Sequence, residues 1–478
     1  MRGVLVLKNF RVVDESGDFR GSVVVEDGII RDIIPRERAP ENGALSGGAL
    51  NGGTSEAARV IDGGGFGSGK TGPLVLMPAF VDLHAHFRES GCPGETPGET
   101  LPPETLESAS LAAAAGGYGT VICMANTRPV IDTAEKAARL KERSDRLGLI
   151  DLYPVLSLTK NMEGRELSGI RGLEAGFPGI RMLSEDGRDV ADDNLFLAAM
   201  GEARRLGLPV SCHCDFGGPE AEAAKEAGEP RRVWSRLAEY HAVRRALALG
   251  KKAGCHIHIA HVSAKEALDL IGKTKAAEAP RASPFFLTCE AAPHHIALTE
   301  ADAAILGAES YGRVNPPLRD GEDRRALVSA LARAGGLIDA IATDHAPHRD
   351  ADKQGGAPGF TGLETSFGVC YRELVLPGLI SLSRLSALMS ANPAKIAFGQ
   401  IRGFGKIPPG LSGAERGPDR GRIAPGQRAD LVIVDTGAEW SVDPAAFKSR
   451  GKNSPFTGQT MRGKVVMTIH QGRIVFDA

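Results

Sequence analysis

Eight short, apolar, strand-like segments alternate with helix-like segments between positions 74 and 343. The strand-like segments are 74–83, 118–125, 150–158, 179–184, 208–214, 255–262, 285–292 and 337–343. They are apolar along their whole length, which is typical of parallel strands that are buried on both faces. The amphipathic, helix-like stretches between them include 132–147, 192–206, 231–250 and 321–334. This alternation predicts an α/β fold with a closed (β/α)8 TIM-like barrel, and a doubly wound open sheet is the alternative.

Both ends of the chain carry a different pattern, with short strands and tight turns. Such strands are predicted within 4–35, 421–436 and 462–476. Neither end alone has enough strands to bury a sheet face, so we expect the two ends to join in one small β-sandwich beside the barrel. The predicted division assigns 1–73 and 401–478 to the β-sandwich and 74–400 to the barrel.

Residues 39–72 are rich in Gly, Ala, Ser and Asn, a composition that predicts a mobile insert. Within this range, residues 64–71 match the phosphate-binding pattern G-x-x-x-x-G-K-T. A functional phosphate loop opens a helix, because the amides at the helix N-terminus hold the phosphates. Here Gly72 and Pro73 follow, and they lead into a strand-like segment. We therefore expect no nucleotide-binding site at Lys70.

Charge and composition exclude several classes of protein. The formal net charge is −2 and aromatic residues make up 5% of the chain, which argues against binding nucleic acid through a basic surface or stacked bases. The sequence has no apolar run of 18 residues, and its start does not resemble a signal peptide. The seven cysteines are an odd number in a long chain, which is typical of reduced thiols. We expect a cytoplasmic protein that binds neither nucleic acid nor membrane.

Histidines and acidic residues stand at the ends of several predicted strands. His84 and His86 are two residues apart at the end of the first strand, so both side chains point to the same face. Other strand ends carry Asp186, His213, His261 and Asp344. A lone histidine is more often a buried, hydrogen-bonded residue, but several strands that end in this way favour an active site, which barrels carry at that end.

These residue types predict a metal centre. Imidazole and carboxylate ligands without thiolates suit zinc or a similar divalent ion. Six candidate ligands exceed the three or four that one zinc ion needs, so the sequence predicts one or two Zn²⁺ ions, with two favoured.

Several motifs together resemble the amidohydrolase superfamily and, within it, the class I dihydroorotases. The motifs are 82–89, 124–129, 292–295, 315–319, 342–348, 362–365 and 451–456. The resemblance extends from about residue 4 to 475 and is interrupted by the predicted insert. The chain departs from the family pattern at Ser90 and Ala125, where the family usually has proline, and loop 92–103 is longer than usual.

The resemblance implies metal ligands and substrate-binding residues. The implied ligands are His84, His86 and Asp344 for one ion, His213 and His261 for the other, and Asp186 as the bridging carboxylate. The implied substrate-binding residues are Arg88, Asn126, Asn315 and His348.

The activity that the resemblance implies is the zinc-dependent, reversible conversion of N-carbamoyl-L-aspartate to dihydroorotate in pyrimidine biosynthesis. Ring hydrolysis requires a group that moves a proton from the attacking water to the leaving nitrogen, and Asp344 is the candidate. A guanidinium at Arg88 suits a substrate carboxylate, and its alternative role is a salt bridge with Glu89. The glycine-rich segment 355–362 is expected to cover the site as a lid.

Three alternatives remain open from the sequence. An allantoinase or a hydantoinase would share the scaffold, but hydantoinases bridge their metals with a carboxylated lysine, and segment 179–186 has no lysine. A non-catalytic, dihydroorotase-like partner of aspartate carbamoyltransferase would have lost metal ligands, whereas all six are present here. Association with that transferase as an active partner and a homodimer are both left open.

Overall fold

The computed structural model describes residues 3–36, 58–64, 74–89, 102–174, 177, 179–215, 217–278, 284–333, 335–399 and 420–478. The strands within these ranges are β1 Val4–Asp14, β2 Gly17–Glu26, β3 Ile29–Pro35, β4 Arg59–Asp62, β5 Val75–Pro78, β6 Phe80–Ala85, β7 Tyr118–Cys123, β8 Asp151–Pro154, β9 Leu156–Ser157, β10 Leu183–Ser184, β11 Val210–Cys212, β12 His256–Ile259, β13 Phe286–Ala291, β14 Ala340–Ile341, β15 Leu431–Ser441, β16 Thr460–His470 and β17 Arg473–Asp477.

The α-helices in the same ranges are α1 Leu106–Ala115, α2 Ala134–Leu147, α3 Asp193–Leu206, α4 Pro219–Glu226, α5 Arg231–Ala253, α6 Lys265–Glu278, α7 Pro293–Ala297, α8 Glu300–Leu306, α9 Gly321–Ala332, α10 Asp350–Gln354, α11 Ser366–Cys370, α12 Leu382–Ser386 and α13 Asn392–Ala397. The predicted helices at 132–147, 192–206, 231–250 and 321–334 correspond to α2, α3, α5 and α9. Local signals explain the bounds: the Asp192 side chain caps the first amides of α3, and Gly207 ends that helix in a left-handed conformation.

Strands β6 to β14 form the barrel. They pair in parallel in the order β6-β7-β8 and β9-β10-β11-β12-β13-β14, and β8 and β9 are consecutive parts of one strand separated by Val155. The last strand returns to the first, because His86 N donates to His345 O over 2.8 Å and Thr343 N donates to Asp82 Oδ1 over 2.9 Å. The prediction of a (β/α)8 barrel with helices between its strands is therefore confirmed.

The first predicted strand, 74–83, is two strands with different neighbours. β5 pairs with β1 and β15 outside the barrel, and only β6 enters the barrel. The two meet at Ala79, whose N–H donates to Asp430 O. The single-strand prediction was wrong because both strands are fully buried, so the sequence reads as one apolar run across two cores.

The two ends of the chain meet in a second sheet beside the barrel. Its order is β17-β16-β15-β5-β1-β2-β3, with β4 paired to β1. The sheet has its own apolar core, which includes Leu7, Phe10, Ile30, Leu431 and Ile469. The two ends therefore complete one β-domain, with β15 to β17 from the C-terminal end and β1 to β5 from the N-terminal end.

Part of the predicted mobile insert 39–72 is ordered as strand β4. Its residues Arg59 to Asp62 pair in parallel with Leu5 to Lys8 of β1, and Ile61 is buried in the core of the β-domain. The prediction was wrong for these four residues. Residues 37–57 and 65–73, which include Lys70 and most of the phosphate-loop pattern, lie outside the described residues, as does most of loop 92–103.

None of the helices in the described ranges is long and apolar enough to span a bilayer.

Candidate metal centre

Six side chains from different barrel strands converge at one end of the barrel. His84 lies in β6 and His86 directly follows it, and the other four stand one to three residues after the strands that precede them. These four are Asp186 after β10, His213 after β11, His261 after β12 and Asp344 after β14. Because parallel barrel strands all end at the same face, the structure brings together all six predicted ligands.

The first group consists of two histidines of strand β6 and two carboxylates. His84 Nε2 lies 3.1 Å from Asp186 Oδ1 and 3.6 Å from Asp344 Oδ1. His86 Nε2 lies 3.2 Å from Asp344 Oδ1 and 3.6 Å from Asp186 Oδ2. Ligand atoms about 2.1 Å from a tetrahedral ion stand roughly 3.4 Å from one another. The spacing of these atoms therefore fits a common ion.

The second group shares Asp186 with the first. His213 Nδ1 lies 3.6 Å from Asp186 Oδ1 and 2.5 Å from His261 Nε2. The candidate ligand atoms of these three residues all lie within 4.8 Å of one another. Asp186 thus stands between the two histidine groups, which is the arrangement expected of a bridging carboxylate.

The protonation of the site also suits a cation. Burial and the neighbouring His213 hold the pKa of His261 well below its usual range, so this imidazole is neutral and able to bind a metal. Burial opposes ionisation of Asp186, but the charges of His84 and His86 outweigh it and hold its pKa well below its usual range. Burial disfavours protonated His84, but Asp186 outweighs it and raises the pKa of His84 well above its usual range. A divalent ion would take the place of that proton.

Three buried atoms of the candidate ligands lack hydrogen bonds within the described part of the chain. One is His261 Nδ1, and the other two are His84 Nε2 and Asp186 Oδ1, which face each other without hydrogen-bond geometry. Buried polar atoms are almost always satisfied by a partner. An ion between the two atoms would satisfy both, so the residues present fit a metal centre.

The carboxylate of Glu290 orients His84 from outside the group of candidate ligands. His84 Nδ1 lies 3.2 Å from Glu290 Oε1, and Glu290 Oε2 lies 3.0 Å from His258 Nε2. Such carboxylate–histidine contacts fix the imidazole that faces the metal. Sequence reasoning missed Glu290, although a carboxylate in the otherwise apolar segment 285–292 was a usable signal.

Asn126 contacts the metal-binding side chains directly. Its Oδ1 accepts a hydrogen bond from His86 Nδ1 over 2.8 Å, and its Nδ2 donates to Asp186 Oδ2 over 3.1 Å. The sequence predicted Asn126 as a substrate contact. In the structure it orients two candidate ligands.

Two other predicted substrate residues, Arg88 and His348, lie side by side. Arg88 Nη2 is 3.3 Å from His348 Nε2, and Arg88 forms no ion pair within the described ranges. The expected alternative, a salt bridge with Glu89, is absent, because Glu89 Oε1 pairs with Arg143 Nη1 over 2.6 Å. A half-buried guanidinium without a carboxylate partner is suited to an anionic ligand.

Asn315 is held by a residue that sequence reasoning did not single out. Its Oδ1 accepts a hydrogen bond from Arg231 Nη2 over 2.8 Å. Burial, together with the charge of Arg313, lowers the pKa of Arg231.

The backbone is strained at three of the site residues. Arg88, His261 and Asp344 have φ angles of 60°, 31° and 47°, in the left-handed region that non-glycine residues rarely adopt. Each such conformation costs on the order of 1–3 kcal/mol and persists where the surroundings enforce it, often at functional sites.

A third cluster with metal-ligand residue types is an ion-pair network. Asp151, Asp430 and His470 lie at the junction of β8 with β15 and β16. Arg428 contacts both carboxylates, and Arg420 Nη2 lies 2.7 Å from Asp151 Oδ2. Two guanidiniums already neutralise the two carboxylates, so this cluster joins the β-domain to the barrel and does not resemble a metal centre.

Comparisons with known proteins identify the family of the chain. A protein-family model described as "Dihydro-orotase-like" matches residues 73–267. A dihydroorotase of Clostridium botulinum is 34% identical over 472 residues, covering 99% of each chain. A dihydroorotase of Mycobacterium tuberculosis is 35% identical over 410 residues, covering 84% of this chain and 87% of the relative.

Solved structures show the same fold. The L-hydantoinase (dihydropyrimidinase) from Arthrobacter aurescens matches with a TM-score of 0.77 and 27% identity, covering 100% of this chain and 96% of that one. A dihydropyrimidinase from Brevibacillus agri has a TM-score of 0.76 at 21% identity, with coverage of 99% and 95%, and it supports the fold alone. The near-complete coverage by relatives more than 30% identical, together with the converging histidines and aspartates, shows that the chain belongs to the dihydroorotase family.

Proposed function

We propose that this chain is a metal-dependent dihydroorotase, a cyclic amidohydrolase that interconverts N-carbamoyl-L-aspartate and dihydroorotate in pyrimidine biosynthesis. The observation that carries this proposal is the convergence of six histidine and aspartate side chains beside Arg88, a cation with no carboxylate partner among the described residues. Hydrolysis of a cyclic amide that carries a carboxylate requires a metal centre for the amide and a cation for the carboxylate. Dihydroorotate has an amide ring and a carboxylate.

The proposed cofactor is zinc, with two ions per chain. His84, His86 and Asp344 would hold one ion, His213 and His261 the other, and Asp186 would bridge them. Zinc, when bound, supplies a nucleophilic water near neutral pH by lowering the pKa of that water to about 7, and it polarises the amide carbonyl. The donor set of imidazoles and carboxylates supports this choice.

Asp344 is the proposed proton-transfer residue. Burial opposes its ionisation, but the hydrogen bond from His86 and the charge of His84 outweigh it and lower the pKa of Asp344. The ionised carboxylate accepts the proton of the attacking water and delivers it to the ring nitrogen that leaves.

Arg88 is the proposed anchor for the substrate carboxylate. His348 lies beside it, and burial together with the Arg88 charge lowers the pKa of His348 to about 3. A neutral imidazole next to a guanidinium adds a hydrogen-bonding group without a second charge. The pair therefore suits one carboxylate and an adjacent ring atom.

A hydantoinase is the second candidate, since one appears among the similar solved structures. The residue between the two histidine groups distinguishes a hydantoinase from a dihydroorotase. Here Asp186 occupies that place, and the preceding segment 179–185 contains no lysine that could be carboxylated. This favours the dihydroorotase.

The proposed assembly and location follow the family assignment. We propose a cytoplasmic enzyme, either as a homodimer or in association with aspartate carbamoyltransferase. Light scattering of the purified chain, alone and mixed with that transferase, measures the molar mass and so tests the two proposed assemblies.

Asp344→Asn tests the catalytic proposal. The amide cannot accept the proton, so kcat should fall by about 10²-fold or more in both directions. The zinc content of the variant, measured in parallel, shows whether the change also removes a ligand. A variant that retains wild-type kcat would contradict the assigned role.

A further inference from the structure

Lys353 is a buried lysine near the site. It lies in α10, and its side chain is 0% exposed. Its Nζ donates to the backbone carbonyls of Arg313, Ala357 and Gly359 over 2.9, 2.9 and 3.0 Å. An ammonium group has three N–H donors, so these bonds use all of them.

The charge of Lys353 has no nearby counter-ion within the described ranges. Burial, assisted by the charge of Arg313, lowers the pKa of Lys353 to about 8. Burying a cation without an ion-pair partner is unfavourable, and here three carbonyl dipoles offset that cost. A neutral side chain of the same length would avoid the desolvation cost but would leave the three carbonyls without their donor.

Two of the three carbonyls flank the partner of His348. Ala357 and Gly359 stand on either side of Pro358, whose carbonyl oxygen lies 2.8 Å from His348 Nε2. Because a carbonyl can only accept, this contact requires the proton of the neutral imidazole on Nε2, and the longer 3.3 Å approach of Arg88 Nη2 to the same nitrogen is then a contact between two donors and not a hydrogen bond. Fixing the backbone around Pro358 therefore fixes the imidazole.

The third carbonyl belongs to the segment that carries Asn315. Arg313 is two residues before Asn315, and its carbonyl also accepts a hydrogen bond from Gly359 N over 2.9 Å. Lys353 thus links the segment of Asn315 to the segment of Pro358. The backbone segments next to both candidate substrate contacts therefore hydrogen-bond to the same ammonium group.

Asn453 holds the same backbone from the β-domain side. Its Nδ2 donates to the carbonyls of Ala346 and Gly359, each over 3.0 Å, and its Oδ1 accepts from His348 N over 3.1 Å. The loop after β14 is therefore fixed at two points. Lys353 is the point that also reaches the Asn315 segment.

We propose that Lys353 is a positioning residue for substrate binding, which sets the orientation of His348 relative to Asn315 through the carbonyls at 313, 357 and 359. None of the hydrogen bonds of its ammonium group involves a candidate metal ligand. The inference rests on the proposed function for the identity of the ligand, dihydroorotate.

Lys353→Met tests the proposal, because methionine fills the space but donates no hydrogen bond. A residue that binds the substrate equally in the ground state and the transition state affects KM and changes kcat little, and this is the role that the proposal assigns to His348 and Asn315. We expect KM for dihydroorotate to rise about tenfold or more, kcat to stay within about threefold, and zinc content to be unchanged.

Lys275→Met is the matched control. Lys275 Nζ donates to the Leu337 carbonyl over 2.8 Å and pairs with Asp339, just before β14 and so at the opposite end of the barrel strand. Its loss should lower Tm and leave KM within about twofold of the wild type, because its bonds touch no substrate residue. An equal rise in KM in both variants would show a general structural effect and overturn the proposal.

Lys353→Gln retains two donors and provides the test if the methionine variant does not fold. We expect its KM to lie between those of the wild type and Lys353→Met, or about three- to tenfold above the wild type if it is measured alone. A KM within about twofold of the wild type for Lys353→Met, or for Lys353→Gln alone, would overturn the positioning role. Wild-type turnover of dihydroorotate in the same assay separates the proposed function from the positioning role of Lys353. An inactive wild type overturns the proposed function and this inference with it. An active wild type with unaffected variants overturns the inference only.

Discussion

At the scale of single residues, the proposed contact of Arg88 with the substrate carboxylate would distinguish a dihydroorotase from enzymes that open uncharged rings. Losing a charge-assisted carboxylate contact costs on the order of 1.5–3 kcal/mol. Arg88→Ala should therefore lower kcat/KM for dihydroorotate roughly ten- to several-hundred-fold. Steady-state kinetics with dihydroorotate and with hydantoin check this, because hydantoin lacks the carboxylate and should be affected far less. Equal losses for both substrates would contradict the role of Arg88.

A second residue-scale prediction concerns Glu290, whose carboxylate contacts His84 and His258. Glu290→Gln keeps the shape but removes the charge that orients His84. Changes of this kind in the outer shell of metal sites weaken metal affinity by about 10–100-fold. Competition of the enzyme with a chelator of known affinity measures this directly. An unchanged zinc affinity would show that Glu290 serves only the packing of the barrel.

At the scale of elements, Glu364 links the segment after β14 to the loop before β16. Its carboxylate accepts hydrogen bonds from Lys448 N and Ser449 N over 2.9 and 3.0 Å. Burial raises the pKa of Glu364 to about 7. The folded state therefore binds the proton of Glu364 more tightly than the unfolded state does. As the pH rises from the ordinary pKa of a glutamate through about 7, this group progressively lowers the stability of the fold.

The corresponding prediction is a pH-dependent stabilisation by Glu364→Gln. Glutamine keeps an acceptor oxygen and never ionises, so Tm of the variant minus Tm of the wild type should be more positive at pH 8 than at pH 5. Thermal unfolding of both proteins across this range checks the sign. A difference that shrinks as pH rises would contradict the assigned burial of the charged carboxyl group.

The segment 355–362, expected from its glycines to act as a lid, lies against the loop after β14. Ala346 N donates to Phe360 O over 2.7 Å, and Phe360 is 1% exposed. Lys353 and Asn453 hold the carbonyl of Gly359 between them. The motion of this segment on substrate binding stays a prediction.

At the scale of the whole molecule, the ion-pair network of Asp151, Arg420, Arg428, Asp430 and His470 joins the β-domain to the barrel. Breaking a buried pair on one side leaves an uncompensated charge and costs about 3–5 kcal/mol. Arg428→Ala should therefore lower the free energy of unfolding by about that amount and leave kcat/KM of the folded enzyme near wild type.

Arg31→Ala provides the control for this prediction. Arg31 and Glu26 form an ion pair on the surface, with side chains 63% and 41% exposed. Such exposed pairs contribute about 0–1 kcal/mol. Denaturant unfolding of both variants should therefore show a much larger loss for Arg428→Ala, and similar losses would contradict the bridging role of the network.

The barrel and the candidate metal ligands could be predicted because each depends on residues that are close together in the sequence. Strand runs that are buried on both faces are apolar throughout, and the ligands sit where those runs end. The division of 74–83 between two sheets was not predictable, because an apolar run does not reveal which core it enters. Strand β4 was hidden in a composition typical of mobile segments.

The roles of Glu290 and Lys353 required the three-dimensional structure. Glu290 is far from His84 in sequence, and its partner is set by the closure of the barrel. Lys353 bonds to backbone carbonyls, which every residue carries, so no pattern of side chains identifies its partners. The contacts of Asn126 with His86 and Asp186 also required the structure, because these three residues lie on different strand ends that only the closed barrel brings together.

The central claim is that a metal centre beside Arg88 makes this chain a dihydroorotase. The most direct test is kcat/KM of the zinc-loaded enzyme for dihydroorotate, hydantoin and allantoin, measured together with zinc content per chain. We expect dihydroorotate to be turned over fastest, and we expect a chelator that removes the metal to abolish the activity and added zinc to restore it. Faster opening of hydantoin or allantoin, or full activity in the metal-free protein, would contradict it.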